Sequence, residues 1–437
     1  MTTTTPQVPA IDEPVGCGRR PPARAERLDV ERYTGEEFLR REYRHLWSSV
    51  WQLACLDSDV PEVGDFYEYV IGKDSIIVVR ESADQIRAFH NVCLHRGRRI
   101  KLGAGNADEL RCPYHGWRWR LDGSLREIPE RSEFCPVSDA DVGLREVRLE
   151  QWNHWVFVNL DPDAGPLAAH LGGIAEVLAP YRFDRQYKWK SQTTWVNANW
   201  KNGAEAFLES YHIRYIHPES NPFVTAVDYA IRHIDDHSLM EVPFGIADSI
   251  ANPDVPDWDE ALDSMEWTLD AFEEDSSMVA QLRGVDPPPG TRIRDVLLPT
   301  LRTGMTGIGM DVSGLTDEQL IDDWNVFVFP NVMLNVFAFG YWLFRVQPHP
   351  TDPDWCRFDL WYHHRVPDDQ ELPAPAANVD IPAGESCGPV MDQDFRNIPH
   401  QQAGMHSRAF PGPLLSSYES RIGHLHDVID RYLGQDR

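Results

Sequence analysis

Four residues in the first third of the chain have the types and spacing to hold metal. Cys93 and His95 form a C-x-H pair, Cys112 and His115 form a C-x-x-H pair, and sixteen residues separate the two pairs. Thiolate and neutral imidazole are good ligands for both iron and zinc. All four would be used by a [2Fe-2S] unit in which cysteines hold one iron and histidines hold the other. Imidazole brings less negative charge than thiolate, so such a cluster takes up an electron more readily than one held by four cysteines. The alternative is a structural zinc site with the same ligand set. Zinc fingers, however, usually set cysteine with cysteine and histidine with histidine, each pair on its own turn. Here each turn carries one of each, which favours the mixed-ligand cluster of the Rieske type. Gly97, Gly103, Gly105 and Gly116 supply the bends that two close-fitting loops need, and Pro113 stiffens the second loop.

A second constellation lies about a hundred residues on. His212 and His217 are five apart, and Glu209 stands three residues before the first. A regular helix aligns side chains better at separations of three or four, so this pair requires a helix that ends or bulges near Ile213. Two imidazoles with a distant carboxylate would make the facial triad of non-haem Fe(II) oxygenases, which leaves coordination positions open for O2. The carboxylate that fits best is Asp394, in the stretch DQDFRNIPHQQAG, with Asp392 as its competitor. Alone, an H-x4-H pair is more often a surface feature or a packed one. Its weight here comes from the first constellation, because an electron-delivering cluster needs an acceptor. Of the other histidines, His363 and His364 sit on a strand-like run and read as packing. His400, His406, His424 and His426 read as surface residues.

The elements that must position these groups show in the periodicity. Residues 1–44 read as a mobile or draped tail leading into one helix, with Thr34 and Glu37 as a capping box. Residues 45–165 form an all-β unit. The alternating runs FYEYVIG, SIIVVRE and IRAFHNV lead into the first loop, GWRWRLDGSLREI gives a hairpin through Asp122-Gly123, and WVFVNLDP closes the sheet. Residues 166–437 form the second unit. It opens with a helical stretch to Tyr181 and a strand over TTWVNANWK, then carries the His212 motif. An acidic, Pro-rich stretch from Asp248 to Asp323 reads as an insertion over the mouth of a pocket, with a surface helix in WDEALDSMEWTLDAFEEDSS. Buried antiparallel strands come next over Phe327–Val346 and Arg357–Val366, then helices over Val390–Gly404 and Leu414–Leu433. The fold class is therefore α+β.

Composition narrows the partners. Lys plus Arg number 41 against 69 Asp plus Glu, a net charge of -28, which argues against nucleic acid and anionic membrane surfaces. No apolar run is long enough to span a membrane, and the first residues lack the basic and apolar regions of a signal peptide. Seven scattered cysteines form no disulfide framework. With Cys93 and Cys112 committed to iron, Cys17, Cys55, Cys135, Cys356 and Cys387 are expected to be reduced thiols in a cytoplasmic protein.

The motifs CLHRG...CPYHGW and NWK...EAFLESYH...HP together resemble those of the Rieske non-haem iron oxygenases, the α subunits of the aromatic ring-hydroxylating family. The resemblance covers essentially the whole chain beyond the tail. It implies a Rieske [2Fe-2S] domain held by Cys93, His95, Cys112 and His115, and a helix-grip-like catalytic domain with an antiparallel sheet. Within that domain it implies a mononuclear Fe(II) on His212, His217 and Asp394. It also implies a terminal oxygenase fed by NAD(P)H through a reductase, with or without a ferredoxin, and a ring of three subunits, alone or with a β subunit as α3β3. In the family a carboxylate links a cluster histidine of one subunit to an iron-ligand histidine of the next, and Glu209 holds that place here. Many aromatic dioxygenases carry Asp at that position and Asn where Ala206 stands. Branches resembling quaternary-ammonium monooxygenases use Glu. The expected substrate is small and apolar, aromatic or alicyclic, with Phe207, Phe223, Phe337, Phe339, Trp342 and Phe344 as candidate walls. Choline- or carnitine-like cations are the alternative, since an aromatic cage also suits them. Outside the oxygenase class stand a Rieske electron carrier and a zinc-stabilised binding protein.

Overall fold

The computed structural model describes residues 20–434 apart from positions 253, 255 and 289; the first part of the expected tail, with Cys17, lies outside the described residues. From Arg20 onward the tail is draped over the second unit. Arg27 donates to the Gly412 carbonyl at 2.8 Å, Leu28 is buried and bonds the Pro413 carbonyl, and the Arg20 guanidinium stacks on Tyr418. The expected capping box does not form. Thr34 ends a short helix, Glu31–Thr34, and turns its hydroxyl back to the Val30 carbonyl, while Gly35 stands at the N-cap of the next helix, Glu36–Arg41. A wider π-type turn over Glu42–Leu46 comes after it, and Trp51 leads into a strand.

The first β unit is a seven-stranded antiparallel sheet in the order Gln52–Leu56, Trp155–Asn159, Glu146–Trp152, Gln85–His90, Asp74–Ser82, Asp65–Ile71 and Ala104–Asn106. The strand over WVFVN therefore does not close the sheet as expected. Gln52–Leu56, fully buried and without polar alternation, takes the edge beside it. A smaller sheet of Leu110–Arg111, Arg118–Trp119 and Leu125–Glu127 carries the second ligand loop. Its hairpin turns at Asp122-Gly123, where Gly123 has φ 81° and a Cβ would strike the Phe89 ring. The ligand cysteines are embedded in a core with Phe66, Ile77, Phe89, Trp117 and Trp119.

The second unit is built on eight strands in the order Ala230–Ile234, His237–Val242, Asp323–Val328, Val332–Phe337, Gly340–Pro348, Cys356–Arg365, Gln186–Val196 and Val379–Asp380. All neighbours are antiparallel except the last pair. Alternate residues separate the two faces. Val326, Leu334, Leu343 and Trp361 pack with the helix Leu167–Leu178 and with Leu53 and Trp155 of the first sheet. Phe327, Met333, Phe344 and Phe358 pack with Trp200, Ile398 and the C-terminal helix Ser420–Leu433. The described part of the acidic insertion forms four helices, Trp258–Ala271, Ser277–Leu282, Ile293–Gly307 and Asp317–Ile321, and Leu262, Met265, Val279 and Leu297 form a satellite core with Phe223 and Met240. The Trp258–Ala271 helix is thus half core, not only surface.

Two buried ion pairs tie the second unit to the chain that precedes it. Arg345 faces Asp359 across adjacent strands at 2.7 Å, and its Nη1 donates to the Leu53 and Ala54 carbonyls of the first sheet. Lys201 meets Glu42 at 2.6 Å with both side chains fully buried. His426 corrects the surface reading. It is fully buried, with Nε2 2.8 Å from Glu205 and 2.9 Å from the Tyr33 hydroxyl. His363 packs as expected, stacked on Tyr341, and His364 pairs with Glu274 at 2.8 Å.

Candidate functional site

The two cluster loops are near copies of each other. In the first, the Cys93 N–H donates to the Arg98 carbonyl and the Gly97 N–H returns to Cys93; in the second, Cys112 bonds Trp117 and Gly116 returns to Cys112. Gly97 and Gly116 take φ values of 77° and 75°, a left-handed turn that a side chain would strain. The loops bring the His95 and His115 rings to 4.7 Å between centroids, and His95 lies flat on Trp117. Cys93 and Cys112 are buried beneath them, while His115 and Tyr114 are exposed. His95 Nδ1 is buried and has no hydrogen-bond partner, which is costly unless a metal takes the lone pair. Burial, with the Cys112 sulfur alongside, pushes the Cys93 thiol up, a bias that a bound cation reverses. Among the described residues, no three of these four ligand atoms converge as one ion requires. A tetrahedral zinc site would draw them together, whereas a two-iron unit spreads them. The residues fit the cluster.

The second constellation does converge. His212, His217 and Asp394 each offer one ligand atom, and these atoms lie within 4.8 Å of one another, the one such group among the described residues. Nε2 of His217 is 3.2 Å and Nε2 of His212 3.7 Å from Asp394 Oδ1. The five-residue spacing has a simple cause. The helix Ile213–Ile216 is a single turn with His212 at its N-cap and His217 at its C-cap, and Pro218 comes at once after it. Asp394 comes from the helix Pro389–Met405 and is buried. Asp392 is accounted for otherwise, since it accepts from the Cys387 N–H at 2.9 Å and the Ser386 hydroxyl at 2.7 Å.

Each histidine is oriented through its other nitrogen. Glu209 Oε1 lies 2.7 Å from His212 Nδ1 while its Oε2 accepts the His212 N–H at 2.9 Å, and Gln393 Oε1 lies 2.6 Å from His217 Nδ1. These bonds place the protons on Nδ1 and leave both Nε2 atoms free for a metal. Burial pulls the His212 ring down, but Glu209 and Asp394 more than offset it and carry it up to about 9. Two imidazole nitrogens and a carboxylate oxygen so placed match a facial triad.

Beside the triad is a chamber of about 110 Å³, walled by Phe207, Phe244, Phe272, Trp342 and Phe344. Through Phe244, Thr268 and Trp342 it adjoins an apolar cavity of about 500 Å³ that includes Phe223, Phe337 and Phe339. All six expected aromatics therefore line one cavity or the other. Glu209 and His212 also border an outer cleft of about 420 Å³.

Residues 180–435 match the family model described as ring hydroxylating alpha subunit (catalytic domain), and residues 50–148 match that of the Rieske [2Fe-2S] domain. The chain belongs to the ring-hydroxylating α-subunit family. Its iron-sulfur cluster and mononuclear iron follow from those two domains. It is 32% identical over 224 residues to the biphenyl 2,3-dioxygenase subunit alpha of Rhodococcus jostii (strain RHA1), covering 46% of this chain and 47% of that one. To the carnitine monooxygenase oxygenase subunit of Escherichia coli (strain K12) it is also 32% identical, over 200 residues, covering 45% and 54%. The chain thus spans about half the length of the curated relatives it matches. Two solved structures share the fold. The quaternary ammonium Rieske monooxygenase in complex with L-carnitine superposes with a TM-score of 0.65 at 17% identity, covering 93% and 95% of the two chains. Naphthalene 1,2-dioxygenase from Rhodococcus sp. bound to indole superposes with a TM-score of 0.62 at 18% identity, covering 94% and 95%.

Within the family frame, several residues at the centre escaped the sequence reading. Thr268, Asp323, Asn325 and Asn335 line the chamber, and Gln393 stands behind His217. Asp323, read as the end of the acidic insertion, instead opens a strand, with Asn325 on the same face and Asn335 directly opposite Asn325. Two polar residues at alternate positions of an otherwise apolar strand were the available signal, but only the register joins them to the third.

Proposed function

We propose that the protein is a terminal oxygenase that uses O2 and electrons from an NAD(P)H-dependent reductase to oxidise a small, largely apolar substrate. The observation that carries this reading is the convergent triad of half-buried His212 with buried His217 and Asp394, opening on an aromatic chamber. Cys93 and Cys112 would hold one iron of the cluster and His95 and His115 the other, while the triad would hold the lone iron. When bound, the cluster supplies single electrons and the lone iron supplies a site where O2 is activated. The chain's own residues do the positioning. Glu209 and Gln393 keep the Nδ1 protons of the two histidines in place, and Phe207, Phe344 and Trp342 exclude water and seat the substrate.

Glu209 is further read as the link to the cluster histidine of an adjacent subunit in a three-membered ring. The outer cleft gives access to it, and the exposed His115 and Tyr114 suit the approach from the other side. Units spanning 45–165 and 166–437 would then work across a subunit boundary. Among the described residues no helix is long and apolar enough to cross a membrane, and Cys55, Cys135, Cys356 and Cys387 are free thiols, which suits a cytoplasmic setting. A second reading, monooxygenation or demethylation of a nitrogenous substrate, draws on Glu209 in place of Asp and on the relative named for carnitine.

The test is turnover of a substrate panel under labelled O2 with a surrogate reductase. Two labelled atoms in one product mark a dioxygenase and one marks a monooxygenase. Reconstituted protein with no iron beyond the cluster pair would overturn the proposal.

A further inference from the structure

The chamber's lining includes three carboxylates and no lysine or arginine. Two of the three have partners in the metal site, Asp394 with the histidines and Glu209 with His212. The third, Asp323, does not. It is 8% exposed, one oxygen accepts from Asn335 at 2.7 Å, and the other is buried with no hydrogen-bond partner. A buried carboxylate oxygen without a donor costs free energy that a native fold rarely leaves unrecovered. Within the chain no other group bonds that oxygen. The Thr268 hydroxyl donates to the Ser264 carbonyl. The Arg421 guanidinium, whose charge acts on Asp323, is bonded to Ser238 at 2.9 Å and Asn325 at 2.7 Å, and its Nη2 is buried without a partner rather than closing the carboxylate. The same chamber is lined by the rings of Phe207, Phe244, Phe272 and Trp342, and an aromatic face attracts a cation.

Resting on the oxygenase reading of this site, we propose that the substrate carries a protonated amine, whose N–H donates to Asp323 while the aromatic walls enclose its carbon skeleton. Asp323 is then the residue that sets substrate class. An ammonium with at least one N–H satisfies the free oxygen and supplies the countercharge the lining lacks. A quaternary nitrogen would supply only the charge, and a hydrocarbon neither.

The comparison that tests this uses benzylamine, benzyltrimethylammonium and ethylbenzene as probes, with calorimetric binding to the iron-loaded, full-length protein near neutral pH. Benzylamine is expected to bind about tenfold or more tighter than ethylbenzene, the return of one charge-assisted hydrogen bond, with benzyltrimethylammonium between them. Asp323→Asn is expected to shrink the preference, and Asp323→Leu to abolish or invert it. Equal binding of benzylamine and ethylbenzene by the unaltered protein would overturn the proposal without reference to any variant. So would a preference that survives Asp323→Leu, since the amine would then be ligating iron. Iron content measured on the same samples separates the two readings. A missing third iron with the Asp323-dependent preference intact sinks the oxygenase reading alone; a third iron without the preference sinks this one alone.

Discussion

The eight-stranded sheet and the C-terminal helix packed on it hold two acid and base combinations that are both buried and differently finished. Asp359 is closed. It accepts from Arg345, Arg357 and Thr193, and Arg345 places its remaining nitrogen on two backbone carbonyls of the first sheet. Asp323 and Arg421 are open, since one carboxylate oxygen and the Arg421 Nη2 lack partners, and Asp323 borders the chamber. The closed set has no bond left to offer and serves as a strut between the units. The open set keeps a bond for something outside the chain. Burial alone therefore does not separate these two sets; an unfinished hydrogen bond beside the chamber does.

The contrast breaks first, and most visibly, at the strut. Replacing Asp359 with Leu strands the Arg345 guanidinium in a dry interior, and stability should fall by about 3–5 kcal/mol in chemical denaturation. The folded fraction should keep whatever ligand preference the unaltered protein shows. A loss below about 1 kcal/mol would mean that the two combinations do not differ in kind.

His212 has one finished side and one open side, so the same contrast runs through a single ring. Glu209→Gln keeps a hydrogen bond to Nδ1 but removes the charge. Both metals should remain bound by iron analysis and spectrum, while substrate-dependent O2 uptake falls by about 100-fold. Full turnover in that variant would remove Glu209 from any linking role.

A smaller effect appears in the pH dependence of stability. Burial pushes Asp323 up to about 7, against about 3.9 for an unfolded carboxyl. Across that interval the folded state binds the extra proton, so stability contributed by this group is lost as pH rises from about 4 to about 7. Asp323→Asn has no such proton. Its advantage over the unaltered protein should grow by about 1–3 kcal/mol between pH 5 and pH 7.5, read by denaturant unfolding. A constant gap would show that Asp323 is already finished, with a partner of its own.

How much of this was legible in the sequence depended on how local each feature is. The cluster loops were readable because four ligands and two turn glycines sit within a short span, and each loop closes on itself. The His212 and His217 pair was readable because Pro218 marks where the helix must stop. Asp394 was the better-fitting carboxylate with Asp392 as its competitor, and the Ser386 and Cys387 contacts show what Asp392 does instead. Asp323, Asn335, Arg421 and Ser238 were not readable, because they come from three separate strands and a terminal helix and meet only through register. His426 was misread for the same reason. Its polar neighbours Tyr33 and Glu205 are hundreds of residues away, and nothing in its own helix marks it as buried.

The finest form of the comparison sets the two ligand histidines against each other. His212 is backed by a carboxylate and His217 by the carboxamide of Gln393, whose own nitrogen reaches only weakly to Glu219 at 3.4 Å. A carboxylate raises the basicity of the imidazole it holds, whereas a carboxamide mainly fixes its orientation. Gln393→Leu should therefore lower Fe(II) affinity by only about tenfold, the mild end of what such partners contribute. Gln393→Glu should recover that loss and exceed the native affinity, because the pair would then have two charged supports. Titration of the metal into each variant checks both. If Gln393→Leu binds iron as tightly as the unaltered chain, the His217 ring is held by packing alone, and only the His212 side of the centre is tuned by its partner.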